Sequence, residues 1–385
     1  MRQKPLVAVL ESSKKILHEY DLCDYCLGRL FAKKLGLSSN KKLGEKIHKK
    51  LKIKTTKCYV CKNIFDNVPV YVAKMQEASS EYGFQTFLVG AKLKPSILDR
   101  DDHLRSQFKL RGMEGVKTNV TRQLAKQFAR KTKKKGQQLD PDITFTINFK
   151  EESCDVHSKP VFLSGRYTKS DRNTPQKQKP CSNCLGKGCS SCNYHGISEY
   201  DSVEGAMSEY FFEKFGATQV KITWIGGEDS TSLVLGSGRP FFAKLIGPKK
   251  RNLTLPKKIP LGKIIVFSLK QIKKIPTMPV RFVSKTRLLI TTEQPIQPES
   301  LSKLLQLKDT IAVYEKSGKR AEKSIYDVKY KINSENSFYL SLVIDGGVPL
   351  KRLVSGEDVF PNVSDILENK SKCETFDFEQ VKITN

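Results

Sequence analysis

From residue 27 to 54 the apolar positions recur at helical spacing among lysines, in LGRLFAKKLGLSSNKKLGEKIHKKLKIK. The period then changes. Phe84–Val89 and Ile143–Phe149 alternate as strands do, and residues 119–136, NVTRQLAKQFARKTKKKG, read as a helix. Asn119 or Thr121 would cap that helix, with Leu124, Ala125 and Phe128 on one side and lysines and arginines on the other. Further along, strand-like runs at Val220–Trp224, Leu233–Leu235, Phe241–Ile246, Lys263–Phe267, Leu288–Thr292 and Phe338–Ile344 are separated by helical patterns at 202–215 and 300–307. The class this predicts is α+β, with a soft boundary at residues 152–160 and no internal repeat. Residues 166–180, rich in Lys, Arg, Gln and Pro, are expected to form a mobile loop.

Charge changes the picture most. Lys plus Arg number 68 against 40 Asp plus Glu, a net charge of +28 over 385 residues. That excess is the footprint of a polyanion binder, and nucleic acid is the first candidate. A basic surface for anionic membranes would call for a basic amphipathic helix or an acylation site, and the chain shows neither. The apolar stretch Leu6–Leu10 is too short for a signal peptide, and no window approaches a membrane span. A reducing cytoplasm is therefore expected, where ten cysteines serve better as metal ligands or thiols than as disulfides.

The cysteine spacing fits that expectation. Cys23 and Cys26 form one CxxC knuckle and Cys58 and Cys61 a second, a set of four thiolates suited to tetrahedral zinc; two unrelated pairs or a redox motif are the alternatives. Cys181, Cys184, Cys189 and Cys192 lie within CSNCLGKGCSSC, where Gly186 and Gly188 supply turns that let backbone amides face the sulfurs. Four thiolates leave no open coordination position, so both sites are expected to be structural. His195 stands beside the second set as a solvent-facing or RNA-facing residue, and Cys154 and Cys373 are expected to act as small apolar residues.

Several segments together resemble the archaeal tRNA pseudouridine synthases of the "Pus ten" family, over nearly the whole chain. They are residues 22–29 (LCDYCLGR), Ser164-Gly165-Arg166-Tyr167 with Pro175-Gln176, the second cysteine cluster, Ser202-Val203-Glu204, and residues 235–241 (LGSGRPF). The resemblance implies a cysteine-rich module at 1–64, a THUMP-like RNA-binding region at 65–155, and a pseudouridine synthase domain with a mixed β-sheet at 156–385 that opens with the second zinc cluster. It implies no organic cofactor, and a tRNA partner gripped at the TψC arm and acceptor stem by a protein expected to be monomeric.

The resemblance further implies that Asp229, in Gly226-Gly227-Glu228-Asp229, is the catalytic aspartate, acting on uridine 55 and, as a second position, uridine 54. Two departures accompany it. Gly227 stands where the family has arginine, and Thr286 where the family places a tyrosine under the target base. The cation that keeps the aspartate ionised is then expected from residues 345–356, with Lys351 first and Arg352 second. Phosphate and base contacts are expected from Arg166, Tyr167, Arg239, Lys249, Lys250 and Arg251, with Tyr194 a further stacking candidate. Two other functions compete: a tRNA-binding protein or chaperone of the same fold that has lost catalysis, and a DNA-binding zinc protein, which would lack paired histidines and a recognition helix.

Overall fold

The structure is a computed structural model that describes residues 6–37, 39–315 and 317–384. The chain divides into two compact units, Met1–Lys159 and Pro160–Asn385.

In the first unit the helices Asp24–Phe31 and Asn40–Leu51 cross where neither carries a side chain. A Cβ on Gly28 would lie 1.8 Å from the Asn40 carbonyl oxygen, and one on Gly44 2.0 Å from that of Asp24. Only glycine lets two backbones approach so closely. Tyr59 donates its N–H to the Asp21 carbonyl at 2.7 Å, which docks the second cysteine knuckle against the first. A four-stranded sheet follows, in the order Lys135–Gly136, Thr86–Lys92, Ile143–Asn148, Ser153–Ser158; Thr86–Lys92 is parallel to both its neighbours and the last pair is antiparallel. One apolar core runs from Val9 to Phe149, so no break in packing marks residues 64 and 65.

The basic helix spans Val116–Thr132 and begins earlier than its sequence suggests. Val116, Val120, Leu124 and Phe128, all fully buried, extend the apolar stripe back by a turn, and Asn119 lies inside the helix rather than at its cap. The first-turn N–H of Val116 is instead satisfied at 3.0 Å by Asp101, a carboxylate from the helix Pro95–Gln107 that also pairs with the buried Arg29. Lys117, Arg122, Lys126 and Arg130 stay exposed on the other face.

The second unit is built on an 11-stranded sheet. One half runs Val359–Phe360, Thr310–Tyr314, Arg320–Ser334, Ser337–Asp345, Phe282–Thr292, Ser371–Ile383; the other runs Val234–Ile246, Val161–Lys169, Ile264–Ile272, Lys258–Leu261, with Gln219–Trp224 also on Val234–Ile246. The halves meet in a parallel contact with the single register pair Phe378↔Val234, whereas the other pairings in this sheet are antiparallel.

Several expectations need correction here. The runs 233–235 and 241–246 are one strand, because Arg239 and Pro240 keep pairing with Tyr167 and Arg166 between them. Residues 166–169 belong to a central strand and Gln176 is buried, so the expected mobile loop is partly core. The helix expected at 300–307 is a short α-helix, Pro298–Leu301, followed by a 3-10 segment, Ser302–Leu307.

Candidate active site and metal centres

A cavity of about 440 Å³ opens beside the junction of the two half-sheets. Phe376 and Phe378 from Ser371–Ile383, Phe282 from Phe282–Thr292, and Val348 and Leu350 from the segment after Ser337–Asp345 give it an apolar lining. Its charged lining residues are Glu228, Asp229, Arg239, Asp345, Lys351 and Arg352.

Asp229 sits on the loop joining Gln219–Trp224 to Val234–Ile246. Its Oδ1 accepts the N–H and the hydroxyl of Thr231, both at 3.0 Å, and the Ser232 hydroxyl donates to its carbonyl at 2.7 Å. These local bonds fix the carboxylate on a sharp turn. The loop is tied down further by Asp377, which accepts the Leu233 N–H at 3.0 Å and pairs with Arg172 at 2.8 and 2.9 Å. Lys351, on the short helix Leu350–Ser355, donates to Asp229 Oδ2 at 2.7 Å. The Lys351 ammonium and the Thr231 N–H hold the Asp229 carboxyl down at about 2, and Lys351 is raised in return by its bond to Asp229. Arg352 is turned away, to the Glu357 and Tyr314 carbonyls and to Asp358. Gly227, where an arginine was expected from the resemblance, is exposed, and nothing lies within 4 Å of a Cβ placed there.

Beneath Asp229 the neighbouring carboxylate points the opposite way. The Glu228 side chain is wholly buried, 3.3 Å from Lys169 Nζ and 3.6 Å from Arg239 Nε, both equally buried. The Tyr167 hydroxyl donates to it at 2.8 Å and accepts from Gln176 at 3.1 Å. Burial and then the Glu228 charge push the Tyr167 phenol up. Arg239 donates to the Ile225 carbonyl at 2.9 Å and stacks with its guanidinium carbon 4.0 Å from the centre of the Phe378 ring.

Several expected nucleic-acid contacts therefore change character. Tyr167 and Arg239 are fully buried and have no surface to offer an RNA backbone. Arg166 is partly buried and donates to the Ser237 and Gly238 carbonyls at 2.6 and 2.8 Å, which gives it a role in joining strands. Of the basic trio, Arg251 is buried, Lys249 half-buried and Lys250 exposed. Thr286 is fully buried within the strand Phe282–Thr292 and does not line the cavity. Two and four residues earlier on the same face, Ser284 and Phe282 do, so the aromatic side chain on this strand is Phe282. The aromatic lining had one local signal, the Phe-x-Phe spacing of 376 and 378; nothing local marks Phe282.

Both cysteine sets close in space. The sulfurs of Cys23, Cys26, Cys58 and Cys61 lie within 4.8 Å of one another, as do those of Cys181, Cys184, Cys189 and Cys192. Sulfur separations of 3.6 Å (Cys23–Cys61), 3.8 Å (Cys184–Cys192) and 3.7 Å (Cys189–Cys192) match the roughly 3.8 Å edge of a tetrahedron with Zn–S near 2.3 Å. In the second set the N–H groups of Gly188, Cys189 and Gly196 point at sulfur from 3.2–3.3 Å, and the amides of Cys189 and Gly196 help to bring the Cys192 thiol down to about 6. Each set can hold a zinc ion. His195 is outside the second set, its Nδ1 3.0 Å from the Thr218 carbonyl and its ring stacked at 3.7 Å on Phe212. Cys373 is buried and Cys154 half-buried.

Known proteins match this sequence. The family model for the Pus10 C-terminal domain covers residues 162–382, and that for the archaeal Pus10 THUMP domain covers residues 71–148. The chain is 50% identical over 376 residues to the tRNA pseudouridine synthase Pus10 of Nitrosopumilus maritimus, covering 97% of this chain and 98% of that one. It is 38% identical to the protein of that name from Cenarchaeum symbiosum (94% and 90% covered) and 27% to that from Pyrococcus furiosus (97% and 98%). Among solved structures, a chain of a Cbf5-Nop10-Gar1 complex aligns with a TM-score of 0.29 at 7% identity over 45% of this chain and 43% of that one, too remote to carry weight. By the extent of these family and relative matches, the chain belongs to the Pus10 family of pseudouridine synthases, which are isomerases.

Proposed function

We propose that this chain converts uridine to pseudouridine in the TψC arm of tRNA, at uridine 55 with uridine 54 as a second position, and that Asp229 is the catalytic carboxylate. The observation that carries this reading is the 2.7 Å pair of Asp229 and Lys351 on the rim of an apolar, aromatic-lined cavity. A base taken out of its stack finds stacking surfaces among Phe282, Phe376 and Phe378, and its ribose then meets the carboxylate at the rim. Lys351 holds the Asp229 carboxyl below its ordinary range, and Thr231 orients it. The ionised carboxylate acts on the ribose as nucleophile or base, and the C1′–N1 bond breaks with its electron pair leaving on the base. The freed uracil turns, C5 bonds to C1′ and loses its proton, and N1 gains one, so the reaction is an isomerisation with nothing added.

The cysteine sets hold one structural zinc each, with no position open for water or substrate. Metal analysis should return about two zinc ions per chain. Residues 65–155 act as the RNA-binding region and 156–385 as the catalytic domain; exposed Lys117, Arg122, Lys126, Arg130 and Lys250 supply salt-sensitive phosphate contacts to the TψC arm and acceptor stem. The protein acts as a monomer in the cytoplasm.

Single-turnover conversion of an unmodified tRNA transcript, with pseudouridine mapped by chemical tagging, tests the proposal. Product in the TψC loop that disappears with Asp229→Ala is the expected result. Tight, salt-dependent binding with no product from the unaltered protein would favour a tRNA-binding protein that has lost catalysis, the reading that Gly227 and Thr286 support.

A further inference from the structure

The buried group around Glu228 is not electrically balanced. Lys169 and Arg239 bring two positive charges and Glu228 one negative, with all three side chains at zero exposure. Lys169 directs its ammonium to the Thr174 carbonyl at 2.8 Å and, at 3.3 Å, to that of Ser230, away from the cavity lining, to which it does not belong. Arg239 does line the cavity. Its Nη1 is taken by the Ile225 carbonyl and its Nε faces Glu228, whereas Nη2 has no hydrogen-bond partner among the described residues. A buried N–H without a partner is costly, and a lone excess cation in an apolar pocket more so. The other acid on the lining, Asp345, is not paired with Arg239, whose charge partners are Tyr167 and Glu228; its oxygens accept the Ser324 N–H and the Tyr326 hydroxyl at 2.9 Å each. The rim pair of Asp229 and Lys351 is neutral as a unit.

We propose that Arg239 is a catalytic residue whose guanidinium, at the cavity floor, stabilises the negative charge that builds on the departing uracil. This rests on the reading of Asp229 given above and extends it to the other half of the bond being broken. Whether the carboxylate bonds to C1′ or removes a ribose proton, the electron pair of the C1′–N1 bond leaves with the base and spreads over N1 and the two carbonyl oxygens. A fixed cation in a water-poor pocket stabilises such charge far better than solvent does, because it needs no reorganisation. Nη2 has no exposed surface in this structure, so it donates to a uracil oxygen only as the entering base displaces what covers it, and the Phe378 ring beneath the guanidinium holds its plane. When the base rejoins through C5 the charge is discharged, and Arg239 returns to its resting contacts without gaining or losing a proton. The residue was expected to contact RNA; its burial points to the base.

The test compares Arg239→Lys with the unaltered protein, in single turnover on tRNA carrying uridine or 5-fluorouridine at the target position, following loss of the N-glycoside. Removing a donor to developing charge should slow the uridine reaction roughly 100-fold. Fluorine stabilises the uracil anion by itself, so the variant's deficit on 5-fluorouridine should shrink to about tenfold or less; equal deficits on both substrates, or none, would overturn the proposal. A purely structural role would not distinguish the two substrates. Should Arg239→Lys not fold, the unaltered protein decides alone: 5-nitrouracil, which is anionic at neutral pH, should inhibit more strongly as pH rises through its ionisation, and inhibition that weakens over that range counts against the proposal. An unaltered protein that makes no product removes the reading of function as well, whereas an active protein insensitive to Arg239→Lys removes only this inference.

Discussion

Glu228 and Asp229 are consecutive residues, one at the floor of the cavity and one at its rim, and their surroundings are opposite. Glu228 is sealed among Lys169, Arg239 and Tyr167 with no exposed side-chain surface, whereas Asp229 keeps 28% of its side chain exposed beside a Lys351 that is 51% exposed. At the floor, water cannot replace a lost partner, so the ion cluster is part of what holds the loop and strands together. At the rim, water competes with Lys351, so the pair adds little stability and its effect is on protonation and orientation. Side by side, the two residues divide the work: the first anchors and, in the proposed reaction, the second reacts.

Asp229→Asn should separate the two most sharply. It is expected to abolish turnover, by about 10⁴-fold or more as when a catalytic carboxylate is removed, while shifting stability by less than about 1 kcal/mol. Melting curves alongside single-turnover rates check both, and a large loss of stability would break the contrast between rim and floor. Glu228→Gln should do the reverse in kind, lowering stability by roughly 3–5 kcal/mol because Lys169 and Arg239 would be left buried without a counter-charge. Urea unfolding reads that loss, and a variant as stable as the parent would show that the floor tolerates its excess charge.

Lys351→Met sharpens the rim. Because the lysine depresses the Asp229 carboxyl to about 2, the ionised form is favoured at every pH above the ordinary carboxylate range and is lost only as pH falls towards that value. Removing the ammonium should move the acid limb of the rate profile up towards about pH 4 and reduce the neutral-pH rate about tenfold. An unmoved acid limb would mean that Thr231, not Lys351, controls the carboxylate. The smallest effect is expected at Tyr167→Phe, which removes one donor from Glu228 and should lower stability by about 1–2 kcal/mol, measured by thermal melting.

Some of this was legible without coordinates. The two cysteine sets were, because four sulfurs at knuckle spacing on short loops have few ways to avoid meeting, and the intervening helices only had to fold back. Lys351 was named as the partner of Asp229 from a motif 122 residues away, and the structure places its ammonium on that carboxylate. The α+β class followed from the alternation of periods. What failed was inference about exposure. Arg239 and Tyr167 look like surface residues in a basic chain, but the strands that carry them pair with each other in the middle of an 11-stranded sheet. Likewise Thr286 occupies the expected strand, but the positions that line the cavity are Ser284 and Phe282, two and four residues earlier on the same face, and a displacement along a strand leaves no trace in local pattern.

The sequence by itself determined the class of fold and the two cysteine sets that can hold zinc, and it set the expectation of a polyanionic partner, since each depends on residue type, spacing or summed charge, which are properties of the chain. Only the tertiary structure decided which of two adjacent carboxylates is buried and which aromatic side chains line the cavity. Those outcomes depend on strand order and on the single register pair Phe378↔Val234 where the half-sheets meet, a contact between residues 144 positions apart whose free energy no local window contains.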